Sequence, residues 1–358
     1  MKILIWISFV LLVSFGSGCQ LNDNRNPSPE FADIHKIDIH SHIYEEMPSL
    51  VEFLQSQNAR IVNIANRGLE GHVEIQQVIA NELNQKFPNL FPYASTFDLT
   101  EIGEPGYADS VIEWLDYTLD SGAVMVKIWK EIGMELVDYT GEYIMPDDPV
   151  FDPVYRHLAE RNIPLLAHLG DPIDGWLPLD PESVHYGYFS QNPEWHLYGR
   201  DDIPGHDDII RSRDNILESH PDLVVIGAHL GSLEHDVDEV AKRLDQYPNF
   251  YVEVSARTRD LTRQPREKVR QFFLDYPDRI LYGIDVVWRP YRTGPRPEEE
   301  KTNFVNRYEE RMRLDFQYYA GTDSIEYAGQ TVKGLGLPVE VLEKFYSENA
   351  IRLLGIDE

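Results

Sequence analysis

The stretch "KIDIHSH" (36–42) alternates apolar and polar residues, the pattern of a β-strand. Strict alternation puts Asp38, His40 and His42 on one face and Ile37 and Ile39 on the other. Further β-rich runs follow: "RIVNIAN" (60–66), "LFPYASTF" (90–97), "AVMVKIW" (123–129), "IPLLAHLG" (163–170), "LVVIGAHLG" (223–231), "FYVEVSA" (250–256) and "RILYGID" (279–285). Between them, 73–87, 110–119, 154–160, 233–244 and 267–276 carry apolar residues at helical spacing. Eight strands alternating with helices predict a single (β/α)8 barrel. A doubly wound sheet expects a Gly-rich turn after its first strand, and "HSHIYEE" (40–46) has no glycine. The region 286–336 reads as irregular, and "LPVEVLEKFYSENAIRLLG" (337–355) as a closing helix. The longest interruption, 170–206, follows strand five, so the barrel reading places it over the C-terminal mouth where sites form.

The N-terminus is read apart from the fold. Residues 1–18 carry one Lys, an apolar run and small residues before Cys19. Ser17-Gly18-Cys19 resembles a bacterial lipobox, which implies cleavage before Cys19 and a lipid on its sulfur. Residues 19–34 read as a polar, Pro-containing tether and 35–358 as the barrel. Cys19 is the only cysteine, so an exported domain here has no internal disulfide. The expected location is therefore that of an exported bacterial lipoprotein, held to a membrane through Cys19. The 358 residues carry a formal net charge of −29. Such a chain repels nucleic acid and gains nothing from anionic lipid. The expected partner is a small-molecule substrate, with an oligomer open.

Ligand-type residues close five of the strands: His40 and His42 on the first, Lys127 on the fourth, His168 on the fifth, His229 on the sixth and Asp285 on the eighth. On strand four, parity sets Lys127 with Met125 and Trp129, opposite Val124, Val126 and Ile128. Imidazole nitrogen and carboxylate oxygen suit a divalent ion such as Zn²⁺, which acidifies water and polarises carbonyls. A His-x-His alone is weak evidence; five donors closing apolar strands in barrel order are strong. Asp38 reads either as a group orienting a histidine or as a partner at the barrel floor. Arg257, Trp129 and Lys130 are candidate substrate contacts, Arg257 as a clamp for an anionic group. Glu253 reads as a carboxylate facing the mouth or paired structurally, and Trp195, His196 and Tyr198 as a lid or as packing within the loop. His185 and His206 are not on strand ends and read as non-ligands.

Over residues 36–355 the pattern resembles the amidohydrolase superfamily, in its amidohydrolase-related group of hydrolases, decarboxylases and lactonases. The resemblance rests on His40-x-His42, His168, His229 and Asp285, with "HLGDP", "NPEW" and "GAHLGSLE". It implies a catalytic metal on His40, His42, His168 and Asp285, with Asp285 also the base and His229 holding or protonating substrate. Lys127 is either a carboxylated bridge between two metals or an unmodified substrate contact. One or two ions, zinc foremost, are implied. The expected reaction is hydrolysis of an ester, lactone or amide. The alternatives are a non-oxidative decarboxylase or hydratase on the same metal, or a non-catalytic solute-binding lipoprotein. An intact Asp285 argues against the last, since a binder needs no base.

Overall fold

The computed structural model describes residues 29–65, 67–68 and 71–357. The signal and lipid-anchor readings, with Cys19, lie outside them. Eight short strands pair in parallel: β1 (Lys36–Ile43), β2 (Ala59–Ile64), β3 (Tyr93–Ser95), β4 (Ala123–Ile128), β5 (Leu165–Ala167), β6 (Val225–Gly227), β7 (Phe250–Glu253) and β8 (Ile280–Leu281). Each neighbours the next, and β9 (Val287–Trp288) pairs with β1. Among the described residues no direct ladder joins β8 to β1. Backbone bonds span that gap: Ile39 N–H donates to the Tyr282 carbonyl at 3.1 Å and Asp285 N–H to the His40 carbonyl at 2.6 Å. The architecture is that of a (β/α)8 barrel.

Its interior is one apolar cluster of Ile37, Ile39, Val62, Ile64, Ala94, Met125, Leu166, Ile226 and Leu281, with Tyr251 of β7 packed against it, closed below by Ala350 and Leu354. The opposite parity, including Ile61, Tyr93, Val126, Leu165, Val225 and Val252, packs outward with the helices. Lys127 has the parity of Met125 and continues the interior column toward the mouth. In the stretch read as tether, Phe31 and Ile34 pack on the outer core, and the Lys36 ammonium donates to both carbonyls.

Strand one departs from strict alternation. Asp38 pairs with Ile61 and Ser41 with Asn63, so three steps on β1 oppose two on β2. This is a β-bulge, and it lets Ile39 and His40 share the inner side. Asp38 therefore does not stand beside the two histidines. It is fully buried, and its Oδ1 accepts from the His40 and Ile284 N–H groups, both at 3.0 Å. Oδ2 accepts from the Ser41 hydroxyl at 2.5 Å and the Tyr308 hydroxyl at 3.2 Å. Asp38 thus positions the first histidine through the backbone, which is where its orienting role lies.

The region 286–336 is not irregular. It holds a 23-residue helix, Glu298–Ala320, and an antiparallel hairpin, Ser324–Tyr327 with Gln330–Lys333. Phe304, Tyr308, Met312, Phe316 and Tyr319 are buried at three- and four-residue spacing, and three glutamates open the helix where its dipole favours them. Charged residues fill the other positions, which masks the stripe. The helices Pro48–Ser56 and His206–Ser219 also extend the sequence reading. The strands end earlier than their apolar runs because the chain leaves the ladder before the ligand-type residues: His168, His229 and Asp285 all lie beyond the last paired residue.

Removing the Asp38 carboxylate would leave two buried N–H groups without an acceptor, at about 1–3 kcal/mol each. Asp38→Ala is expected to lower unfolding free energy by about 3 kcal/mol or more, read from the denaturant midpoint. A loss under about 1 kcal/mol would show that the bulge does not depend on it.

Candidate metal centre

His40 and His42 leave β1 with Nε2 atoms 3.8 and 3.6 Å from Asp285 Oδ1. His229 Nε2 stands 3.9 Å from the other Asp285 oxygen. The far nitrogen of each ring is engaged. His40 Nδ1 meets Glu253 Oε1 at 2.8 Å, His42 Nδ1 the Ile64 carbonyl at 2.9 Å, and His229 Nδ1 the Ser255 carbonyl at 2.8 Å. Carbonyl and carboxylate oxygens only accept, so each Nδ1 carries the proton and each Nε2 a lone pair. Three lone pairs and a carboxylate then converge at separations of 3.6–3.9 Å. Two donors about 2.0–2.2 Å from one cation stand about 3–4 Å apart. The set fits a divalent ion, and His40, His42 and Asp285 offer donor atoms all within 4.8 Å of one another.

His40, His229 and Glu253 also lie within that distance. Their close atoms are already joined below the site: Glu253 Oε1 accepts from the His229 N–H at 2.8 Å, besides meeting His40 Nδ1. This is the support of the centre rather than a second one. Burial works to raise Glu253, but the hydrogen bonds it accepts from the His40 ring and from the Ser255 and His229 backbone N–H groups outweigh it and hold the carboxyl at about 2. Burial holds His42 and His229 well below the ordinary imidazole value, so both rings are neutral and able to ligate.

Lys127 is fully buried with its Nζ 3.1 Å from His40 Nε2. Burial pulls it down to about 8 against the opposing fields of Glu253 and Asp285. It lies close enough to the centre to serve as a ligand once modified, or to hold a substrate oxygen. His168 stands apart from the close group. Its ring packs 4.3 Å from His229 and 6.1 Å from Trp129, and among the described residues its buried Nε2 has no hydrogen-bond partner. That nitrogen lies 3.7 Å from Asp171 Oδ1. Burial lowers the ring to about 3, leaving another neutral imidazole with an unused lone pair.

The backbone at this mouth is held in left-handed conformations: φ is +57° at His229, +56° at Ala256 and +66° at Asp285. For residues with a Cβ such strain concentrates at functional sites. Beside it lies a cavity of about 150 Å³ lined by His168, Asp171, His185, Tyr188, His229, Ala256, Arg257, Arg259 and Asp285, among others. A larger cavity of about 450 Å³, under Phe97, Tyr107 and Trp114, shares none of these residues.

The loop 170–206 does cover the mouth, and its Tyr188 and His185 form cavity wall. His185 is bonded to Asp260 at 2.7 Å, and His206 to the Ser232 carbonyl at 2.9 Å. Arg257 lines the cavity. Trp129 and Lys130 do not. Lys130 is taken up by an ion pair with Asp171, the Tyr188 hydroxyl at 2.6 Å and the face of Trp195 at 3.9 Å. Trp129 stacks under Arg67 at 4.3 Å and against Trp195 at 5.4 Å. Both hold the lid down; His196 and Tyr198 lie outside the cavity lining. Sequence reasoning gave no role to Asp171, Ser255 or Arg259. The first had a signal, three places after His168; the others are set by the turn after β7.

The Amidohydro_2 family model, described as Amidohydrolase, matches residues 104–356. The match includes Lys127, His168, His229 and Asp285 and begins after His40 and His42. No curated protein matches the sequence. Among solved structures, the chain is similar to 2,6-dihydroxybenzoate decarboxylase from Rhizobium (14% identity, 91% of this chain, 100% of that one, TM-score 0.52). It is also similar to an uncharacterized TIM-barrel protein from Bordetella bronchiseptica (15%, 90% and 99%, TM-score 0.51). A protein titled amidohydrolase II is a third (17%, 90% and 100%, TM-score 0.52). At these identities the likeness establishes the barrel. The family match spans well over half of the sequence, and the chain belongs to the amidohydrolase family that it defines.

Proposed function

We propose that this protein is a metal-dependent hydrolase acting on an ester, lactone or amide carbonyl of a small molecule. The observation that carries the reading is the tautomer-locked convergence of His40, His42 and His229 on Asp285. His40, His42 and Asp285 would hold the ion, with His168 as the next donor, and zinc suits this nitrogen–oxygen set. Such an ion supplies Lewis acidity, which lowers the pKa of water and polarises a carbonyl.

The chain's own residues do the rest. Asp285 is part-exposed at the edge of the cavity, where its carboxylate takes the proton of attacking water and returns it to the leaving group. His229 is neutral with its lone pair toward that carboxylate, so it accepts a hydrogen bond and donates only after taking up a proton. Lid residues Tyr188 and His185 close the cavity against bulk water. In this reading the enzyme is exported and tethered through Cys19. A second reading, non-oxidative decarboxylation on the same centre, is favoured by the buried, cationic Lys127 beside His40. Coupled detection of CO2 separates the two: hydrolysis of a lactone or ester panel without CO2 supports the first, and CO2 from carboxylated aromatics the second.

Purified protein supplied with zinc is expected to bind at least one metal per chain by elemental analysis, and His40→Ala/His42→Ala to lose it. A metal-free wild type would defeat the mechanism. Glu253→Gln keeps the shape below the site but weakens the hold on His40 Nδ1–H. Loss of such a supporting carboxylate costs about 10–100-fold in metal affinity. Chelator competition should show that drop, and an unchanged affinity would mean that Glu253 is only structural.

A further inference from the structure

Arg257 is 6% exposed and lines the cavity beside His229 and Asp285. A guanidinium offers five donors. Among the described residues its side chain makes one hydrogen bond, from a terminal nitrogen to the neighbouring Ala256 carbonyl at 3.3 Å. Its Nε is buried without a partner. The closest carboxylate, Glu234 Oε2, lies 3.7 Å from that Nε, too far for a hydrogen bond, and is itself unpartnered. Glu234 therefore balances the charge without occupying the fork. Arg259 lines the same end; one of its terminal nitrogens donates to His185 Nδ1 at 3.3 Å, while its buried Nε makes no hydrogen bond among the described residues and lies 3.9 Å from Asp260 Oδ2. Buried donors of this kind are ordinarily satisfied, and a guanidinium is best satisfied by a planar oxyanion held at two points.

We infer that Arg257, assisted by Arg259, forms a carboxylate-binding subsite, and that the substrate is a small carboxylic acid whose anionic end sits there while its reacting group faces Asp285 and His229. The inference rests on the proposed reading of the metal centre for the position of the reacting group, not for the subsite itself. The bound carboxylate is a handle: it is not the group transformed. Lid residues Tyr188 and His185 bound the cavity, which limits the acid to a small one and excludes a polymer chain.

The test is calorimetric titration with benzoate and acetate, and with benzamide and acetamide as neutral counterparts. It uses zinc-loaded wild type, metal-free His40→Ala/His42→Ala and Arg257→Gln. At least one acid is expected to bind wild type and the metal-free variant alike. The matching amide and Arg257→Gln should each weaken binding at least about tenfold. That result supports the subsite even if no hydrolytic or decarboxylase activity is found, so the two readings fail separately. Acid binding that vanishes in the metal-free variant but survives in Arg257→Gln would place the carboxylate on the metal and overturn the inference. So would equal binding of acid and amide, or no binding of either acid to wild type at about 10 mM. Should Arg257→Gln not fold, Arg257→Lys keeps the charge opposite Glu234 but lacks the fork. It is expected to bind several-fold more weakly, and wild-type affinity in it would overturn the inference.

Discussion

The buried carboxylate of Asp38 accepts four hydrogen bonds, two from backbone N–H groups at His40 and Ile284 and two from hydroxyls of Ser41 and Tyr308. Those four bonds tie together β1, the segment after β8 and the long helix Glu298–Ala320. They also stabilise the bulge that turns His40 inward, against a strand period that would otherwise send Ile39 and His40 to opposite faces. The gap between β8 and β1 is spanned by backbone bonds at the same level, one of them from Asp285 itself. Barrel closure and donor placement are therefore one event. The left-handed backbone at Asp285 is maintained because the surrounding hydrogen bonds determine it more strongly than its own preference does.

From that level upward the site is built in two layers. Glu253, Ser255 and the Ile64 carbonyl fix ring orientation and tautomer, and the three Nε2 atoms inherit their direction from them. Low dielectric below the mouth keeps His42 and His229 neutral, the protonation state a cation requires. Above, Lys130 joins the strand-four end to the lid through Asp171, Tyr188 and Trp195. The aromatic and charged lid is thus fastened to the frame that holds the metal donors, and the cavity lies between them.

Much of this was legible in the residues. The column Met125–Lys127 follows from parity alone, and His168, His229 and Asp285 are marked by the apolar runs they terminate. The bulge was not legible, because a period of two carries no sign of an inserted residue; "KIDIHSH" looks uninterrupted until its register against β2 is known. Helix Glu298–Ala320 was hidden because its buried stripe of Phe, Tyr and Met is interleaved with charges. Lys130 and Trp129 follow Lys127 in sequence and suggested a shared pocket. Their partners come from a loop some forty to sixty-five residues later, a distance over which local pattern says nothing. The cavity role of His185 was missed for the same reason: its position is set by Asp260, across the mouth.

The account turns on three imidazoles presenting Nε2 lone pairs to one point beside Asp285. Nitrogen-15 NMR of the histidine rings in metal-free protein near neutral pH, followed by titration with Zn²⁺, tests this directly. The account predicts that His40, His42 and His229 are neutral with the proton on Nδ1, and that zinc shifts the Nε2 resonances of His40 and His42 at one equivalent. Protonation on Nε2, or charged imidazolium at His40 and His42 with no response to zinc, would contradict it.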